Sequence, residues 1–100
     1  MTSSNGSERF KVVLAANVKQ HADQLHDIAV EHGLGDQFIE ALLAIERGLR
    51  HDPRHFGDPQ YRLSALKMTV YVRAAFPIAV DFGVHDLLPF VVVRGFRLMI

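Results

Sequence analysis

The stretch Lys67-Met68-Thr69-Val70-Tyr71-Val72-Arg73-Ala74-Ala75-Phe76-Pro77-Ile78-Ala79-Val80-Asp81-Phe82-Gly83-Val84-His85 decides the fold. Its first half alternates, with Met68, Val70, Val72 and Ala74 on one face and Lys67, Thr69, Tyr71 and Arg73 on the other. That period of two is the mark of a half-buried strand. Phe76-Pro77 interrupts the run at a hairpin tip. Beyond it Ile78, Val80, Phe82 and Val84 make the apolar face of the next strand, opposed by Ala79, Asp81, Gly83 and His85. The segment His85-Asp86-Leu87-Leu88-Pro89 reads as a second turn. Phe90 to Leu98 is then a last strand, with Val91 and Val93 on one face and Val92, Arg94 and Phe96 on the other. Three consecutive strands with short connections predict an antiparallel meander.

Working back towards the N-terminus, the period changes. Phe38, Leu42, Ile45 and Leu49 recur at the spacing of one helix face, with Asp36 placed to cap the helix and Asp52-Pro53 to stop it. A preceding helix starts at Val18 and carries Ala22, Leu25, Ala29 and His32 at helical spacing. Asn17 is its expected cap, with Gln20 reaching back, and Gly33 supplies the left-handed residue that ends it. A link of only Gly33-Leu34-Gly35 folds the two helices into an antiparallel hairpin. Arg9 to Ala16, with Phe10, Val12 and Leu14 on one face, predicts a strand, and Asp52 to Gln60 a turn-rich connection. Residues 1–8 are polar and aperiodic, a disordered tail ahead of a single domain over 9–100. The expected fold is α+β, in the order βααβββ. The helical hairpin packs on one face of an antiparallel sheet, and the other face shows Lys67, Tyr71, Arg73, Asp81, His85 and Arg94 to solvent.

Composition narrows the function classes. At 100 residues a second independent core is excluded. The chain has no cysteine, which removes disulfides, thiolate nucleophiles and Cys-ligated zinc together. Eleven basic and eleven acidic side chains balance to a formal charge of zero, which weakens any reading built on strong phosphate attraction. No apolar run approaches a membrane span, and the first residues lack a signal peptide, so a cytoplasmic protein is expected.

Several local patterns, in this order, resemble the RelE/ParE superfamily of toxins from type II toxin–antitoxin modules. The helix Phe38 to Leu49 ends in Arg50-His51-Asp52-Pro53, like the family's boundary of helix followed by Asp-Pro. A glycine-containing loop, Phe56-Gly57-Asp58-Pro59, leads to Tyr61-Arg62-Leu63. Val70-Tyr71-Val72-Arg73, Ile78 to Val84 and Phe90-Val91-Val92-Val93-Arg94 are similar to the family's successive strands. The resemblance covers residues 9 to 97. It implies a small domain whose open sheet face is blocked by a cognate antitoxin, and which either cleaves mRNA on the ribosome or inhibits gyrase. Carried over by position, Arg73 matches the basic residue of the first hairpin strand, Lys67 a basic residue near its start, and Arg94 or Arg97 the C-terminal basic position. Two departures stand out. Pro77-Ile78 occupies the place of a second arginine, and Phe96-Arg97-Leu98-Met99-Ile100 holds no counterpart of the C-terminal tyrosine of ribonuclease members.

Cleavage by the RNA 2′-hydroxyl needs a group to take its proton, a donor to the leaving oxygen and positive charge on the phosphorane. Tyr71, Arg73 and His85 are the expected catalytic residues, and Lys67, Arg94 and Arg97 the expected RNA contacts. Against this, Arg73 and Asp81 read equally as a cross-strand ion pair. No metal is expected: Pro53 prevents His51 and His55 from sharing a helix face, and His21, His26 and His32 spread around theirs. No cofactor is expected either, since Gly33-Leu34-Gly35 joins two helices and does not follow a strand. Two other readings remain open at this point. One is a non-catalytic binding domain on the same fold, directed at gyrase or a protein partner. The other is a homodimer that buries the apolar residues Phe96, Leu98, Met99 and Ile100.

Overall fold

The computed structural model describes residues 9–100, and the tail expected over residues 1–8 lies outside them. The elements are β1 (Lys11–Leu14), α1 (Val18–Glu31), α2 (Gly35–His51), α3 (Pro53–Phe56), β2 (Asp58–Leu63), β3 (Met68–Ala75), β4 (Ile78–His85) and β5 (Phe90–Leu98). A single 3-10 turn, Ser64–Leu66, joins β2 to β3. The fold is α+β: two helices pack against a five-stranded sheet of order β1-β5-β4-β3-β2.

The helical hairpin forms for the reasons its residues supply. Gly33 sits at φ 73°, and its N–H donates to the Val30 carbonyl while that of Leu34 donates to Ala29. These paired bonds satisfy the last carbonyls of α1 and reverse the chain. Asn17 also adopts a left-handed φ of 68°, but no side-chain cap bond forms there or at Asp36. Asn17 serves through backbone tolerance. Asp36 lies inside the first turn of α2, where a negative charge meets the positive helix end.

The sheet departs from expectation in two ways. β1 runs parallel to β5, pairing Lys11 with Phe90 and Leu14 with Val93, so the sheet is mixed. A fifth strand, β2, occupies part of the stretch read as turns and pairs antiparallel with β3. Its residues are exposed on both faces up to half-buried Leu63, so it carries no alternation to read. Pro59 and a register shift before Tyr61 fit the edge position, where a missing N–H is tolerated.

The core lies between the sheet and the helices. Phe38, Ala41, Ile45 and Leu49 of α2, with Leu25 and Ala29 of α1, meet Ile78, Val80, Phe82 and Val84 of β4 and Val91 and Val93 of β5. Tyr71 belongs to this cluster too, stacked on Phe82 at 5.5 Å and 12°. The expected face assignment of β3 is therefore reversed. Register explains it: Tyr71 stands opposite Phe82 and Arg73 opposite Val80, so both share the helix face of the sheet. Met68 and Val70 point the other way and are buried nonetheless, Val70 to 1% exposure.

Candidate functional site

On the open face, one contact spans the sheet. Successive β4 residues Phe82 and Asp81 pair with Val93 and Gly95, leaving Arg94 as the extra residue of a bulge. A bulge re-aims a side chain. Here it sends the Arg94 guanidinium across β4 and β3, where Nη1 donates to the Tyr61 hydroxyl on β2 at 2.7 Å. Its guanidinium carbon lies 5.8 Å from the Tyr61 ring centre, and Nη1 is 3.6 Å from Asp81 Oδ1. That oxygen is shielded from water and has no hydrogen-bond partner. The hydrogen bond to Tyr61 raises the Arg94 pKa, burial works against it, and the Asp81 charge adds to the rise. Arg94 thus stays cationic between a phenol and a carboxylate. The bulge also turns Phe96, expected on the open face, to the helix face opposite Val80, where it packs on the core.

The six residues expected to form a site do not converge. The Tyr71 ring is in the core. Arg73 lies on the helix face, where Nη1 donates to the Phe56 carbonyl at 2.9 Å and its guanidinium rests 4.6 Å from the Phe56 ring centre. It fastens α3 to the sheet and makes no pair with Asp81, which stands opposite Val72 on the other face. His85 Nδ1 accepts the backbone N–H groups of Leu87 and Leu88 at 3.1 and 3.0 Å. Both donors are amides, so this nitrogen carries no proton. The imidazole organises the turn before β5, with its ring 6.0 Å from that of Phe90.

Lys67 takes a left-handed φ of 54°, and its carbonyl accepts the Asp86 N–H. Its residue type is used for a turn, with the ammonium left in solvent. Arg97 sits opposite Ala79, six residues along β4 from His85, a separation of about 20 Å at the rise of an extended strand. Of the expected residues, only Arg94 occupies a polar cluster on the open face. Asp81 was expected on the same face as Arg94, whereas its other partner, Tyr61, was not singled out with it. The signal for Asp81 was its place as the one acid of its strand.

A second ionic group fastens the far end of the sheet. Arg62 Nε and Nη2 both donate to Asp86 Oδ2, while the Thr69 hydroxyl donates to Oδ1. The hydrogen bonds from Arg62 hold the Asp86 carboxyl below its ordinary pKa; partial burial acts the other way, and the Arg62 charge and Thr69 lower it further. A carboxyl depressed in the folded state adds stability above its unfolded pKa, and that stability is lost as pH falls through the folded value. Arg62→Ala is expected to move the Asp86 titration upward towards the ordinary value and to shrink the acid-side loss of stability. Carboxyl-carbon NMR titration of both proteins reads this directly. An unshifted Asp86 titration in the variant would remove Arg62 as the cause.

Among the described residues, no three His, Asp or Glu side chains gather as a metal would need, and no helix is long and apolar enough to cross a membrane. His55 Nδ1 is instead engaged by the Asp52 carboxylate at 3.0 Å. No protein-family model, curated protein or solved structure matches the chain.

Proposed function

We propose that this chain is the toxin-like component of a type II toxin–antitoxin module that acts in the cytoplasm by binding, without a ribonuclease centre. One observation carries this reading: the three side chains that would do the chemistry are each committed elsewhere. The Tyr71 ring is packed on Phe82, Arg73 is bound to Phe56, and His85 Nδ1 holds two turn amides. The strand–helix–helix–strand order agrees with the family resemblance, and neutral overall charge suits a protein partner better than a phosphate backbone. On this reading the open face around Arg94 and Tyr61 contacts the target or the antitoxin.

A second reading, a ribosome-dependent endoribonuclease, is favoured by one feature: a phenol and a guanidinium 2.7 Å apart on that face. Water would take the 2′-hydroxyl proton, the Tyr61 phenol would give its proton to the leaving 5′-oxygen, and Arg94 would stabilise the phosphorane. The deciding experiment expresses the chain alone and with any short protein encoded beside it, and assays ribosome-bound mRNA for cleavage and gyrase for supercoiling. The binding reading expects growth inhibition relieved by the neighbour, no cleaved mRNA, and inhibition lost in Arg94→Glu at unchanged melting temperature. Cleavage that disappears in Tyr61→Phe transfers the function to the second reading. Absence of both inhibition and complex formation overturns the two together.

A further inference from the structure

The two edges of the sheet are built differently. β2 carries Pro59 and a register shift, devices that discourage another strand from pairing. β1 has neither. Its inner side is fixed by Lys11 N–H donating to Pro89 and Ala15 N–H donating to Val93, both at 2.9 Å. Alternation along a parallel ladder then turns the N–H and C=O groups of Val12 and Leu14 outward. Among the described residues no strand pairs with that side.

Beside this edge lies an apolar groove of about 470 Å³ between the sheet and the two helices. Val12 and Leu14 form one wall, Leu42 and Leu43 of α2 the other, and Phe96 part of the floor. Leu14 and Leu43 are each about half exposed, and Ile39, one turn before Leu43, extends the apolar strip along α2. The rim holds Lys19 and Arg50 against Asp23 and Glu46, two charges of each sign.

We propose that β1 pairs antiparallel with β1 of a second copy about a two-fold axis at Val13, giving a continuous ten-stranded sheet. The register is self-consistent. Val12 of each copy falls opposite Leu14 of the other, and both present outward backbone groups, so the two pairs exchange four N–H···O bonds. Lys11 falls opposite Ala15, so no like charges meet. A rim with two charges of each sign sets no net charge against its own copy across a two-fold contact, and the zero formal charge of the chain adds no repulsion between copies. Residues 2–8 carry no aliphatic or aromatic side chain and do not suit the groove. This contact uses an edge separate from the Arg94 face and stands independently of the proposed function.

Sedimentation over a concentration series tests it, with amide exchange at Val12 and Leu14 as the second readout. The expected result is a species of twice the 11.2 kDa chain mass, with both amides protected only at high concentration. Leu14→Lys and Leu43→Glu, with unchanged circular dichroism, should each weaken association at least about tenfold. A monomer up to roughly 1 mM, the weak end of specific association, overturns the proposal. So does a dimer indifferent to both variants, or protection of the two amides that does not change with concentration.

Discussion

Phe82→Ala is expected to destabilise the domain by about 3–5 kcal/mol, the range for emptying a fully buried aromatic site. Phe82 has no exposed surface, and it stacks on Tyr71 while lying 6.4 Å from the Phe56 ring centre. Its removal leaves two aromatic neighbours facing a cavity on a central strand, where backbone pairing on both sides resists collapse. Since small domains are stable by only about 5–15 kcal/mol, the variant sits near the edge of folding. Urea denaturation followed by circular dichroism should show the midpoint falling sharply. The melting temperature should fall by at least about 12 °C, at 4–8 °C per kcal/mol for a domain of this size. Phe76→Ala, at an exposed hairpin tip, should stay within about 0.5 kcal/mol of the parent. A loss below about 1 kcal/mol for Phe82→Ala would contradict its place between those rings.

Gly48→Ala should also destabilise, and the sign is the informative part. A glycine inside a helix ordinarily weakens it by about 1 kcal/mol relative to alanine, so propensity alone forecasts a gain. In α2, however, a Cβ at Gly48 would collide with the Phe56 ring. That ring is clamped by the Arg73 guanidinium on β3, so it cannot swing aside freely. The expected net loss is about 1–3 kcal/mol, typical of an overpacked site. In a Phe56→Ala background the same change should stabilise by about 0.5–1 kcal/mol, as helix propensity takes over. Equilibrium unfolding of the four proteins of this cycle measures both values. A gain from Gly48→Ala in the parent chain would show that α2 and α3 are not pressed together here.

Much of the architecture was legible from residue pattern. Gly33 and Asp52-Pro53 bound the two helices because both act through backbone angles that few contexts override. Of the stripe Phe38, Leu42, Ile45 and Leu49, all but half-buried Leu42 are buried as the spacing required, and so are Ile78, Val80, Phe82 and Val84. β2 escaped because an edge strand exposed on both faces has no periodicity. The parallel pairing of β1 escaped because a four-residue strand says nothing of its partner's direction.

The face of β3 was misread for a different reason. Met68, Val70, Val72 and Ala74 look like the core side by polarity alone. Yet Val70 is buried without any helix above it, since its strand neighbours are Tyr61 and Gly83 and the Tyr61–Arg94 contact crosses that face. Around Val70 and Tyr71 both sides of the strand are thus sheltered, and polarity ceases to discriminate. The correct answer was still present in the hairpin. A two-residue turn at Phe76-Pro77 sets Ala75 against Ile78, and stepping back along the ladder brings Tyr71 to Phe82. Pairing arithmetic outranks hydropathy where both faces are covered. The candidate site was less legible, because the reach of Arg94 depends on a bulge that the sequence does not mark.

The neighbour of β1 is made long after it. Leu14 and its partner Val93 are 79 residues apart, so translation at 5–20 residues per second separates them by about 4–16 s. The contacts between the two helices are local and form early, while their packing against β4 and β5 waits for those strands. Meanwhile Val12, Val13 and Leu14 wait as a short sticky segment without a template. Lys11 and Lys19, standing on either side of it in the chain, are placed to keep the nascent polypeptide from clumping until β5 arrives.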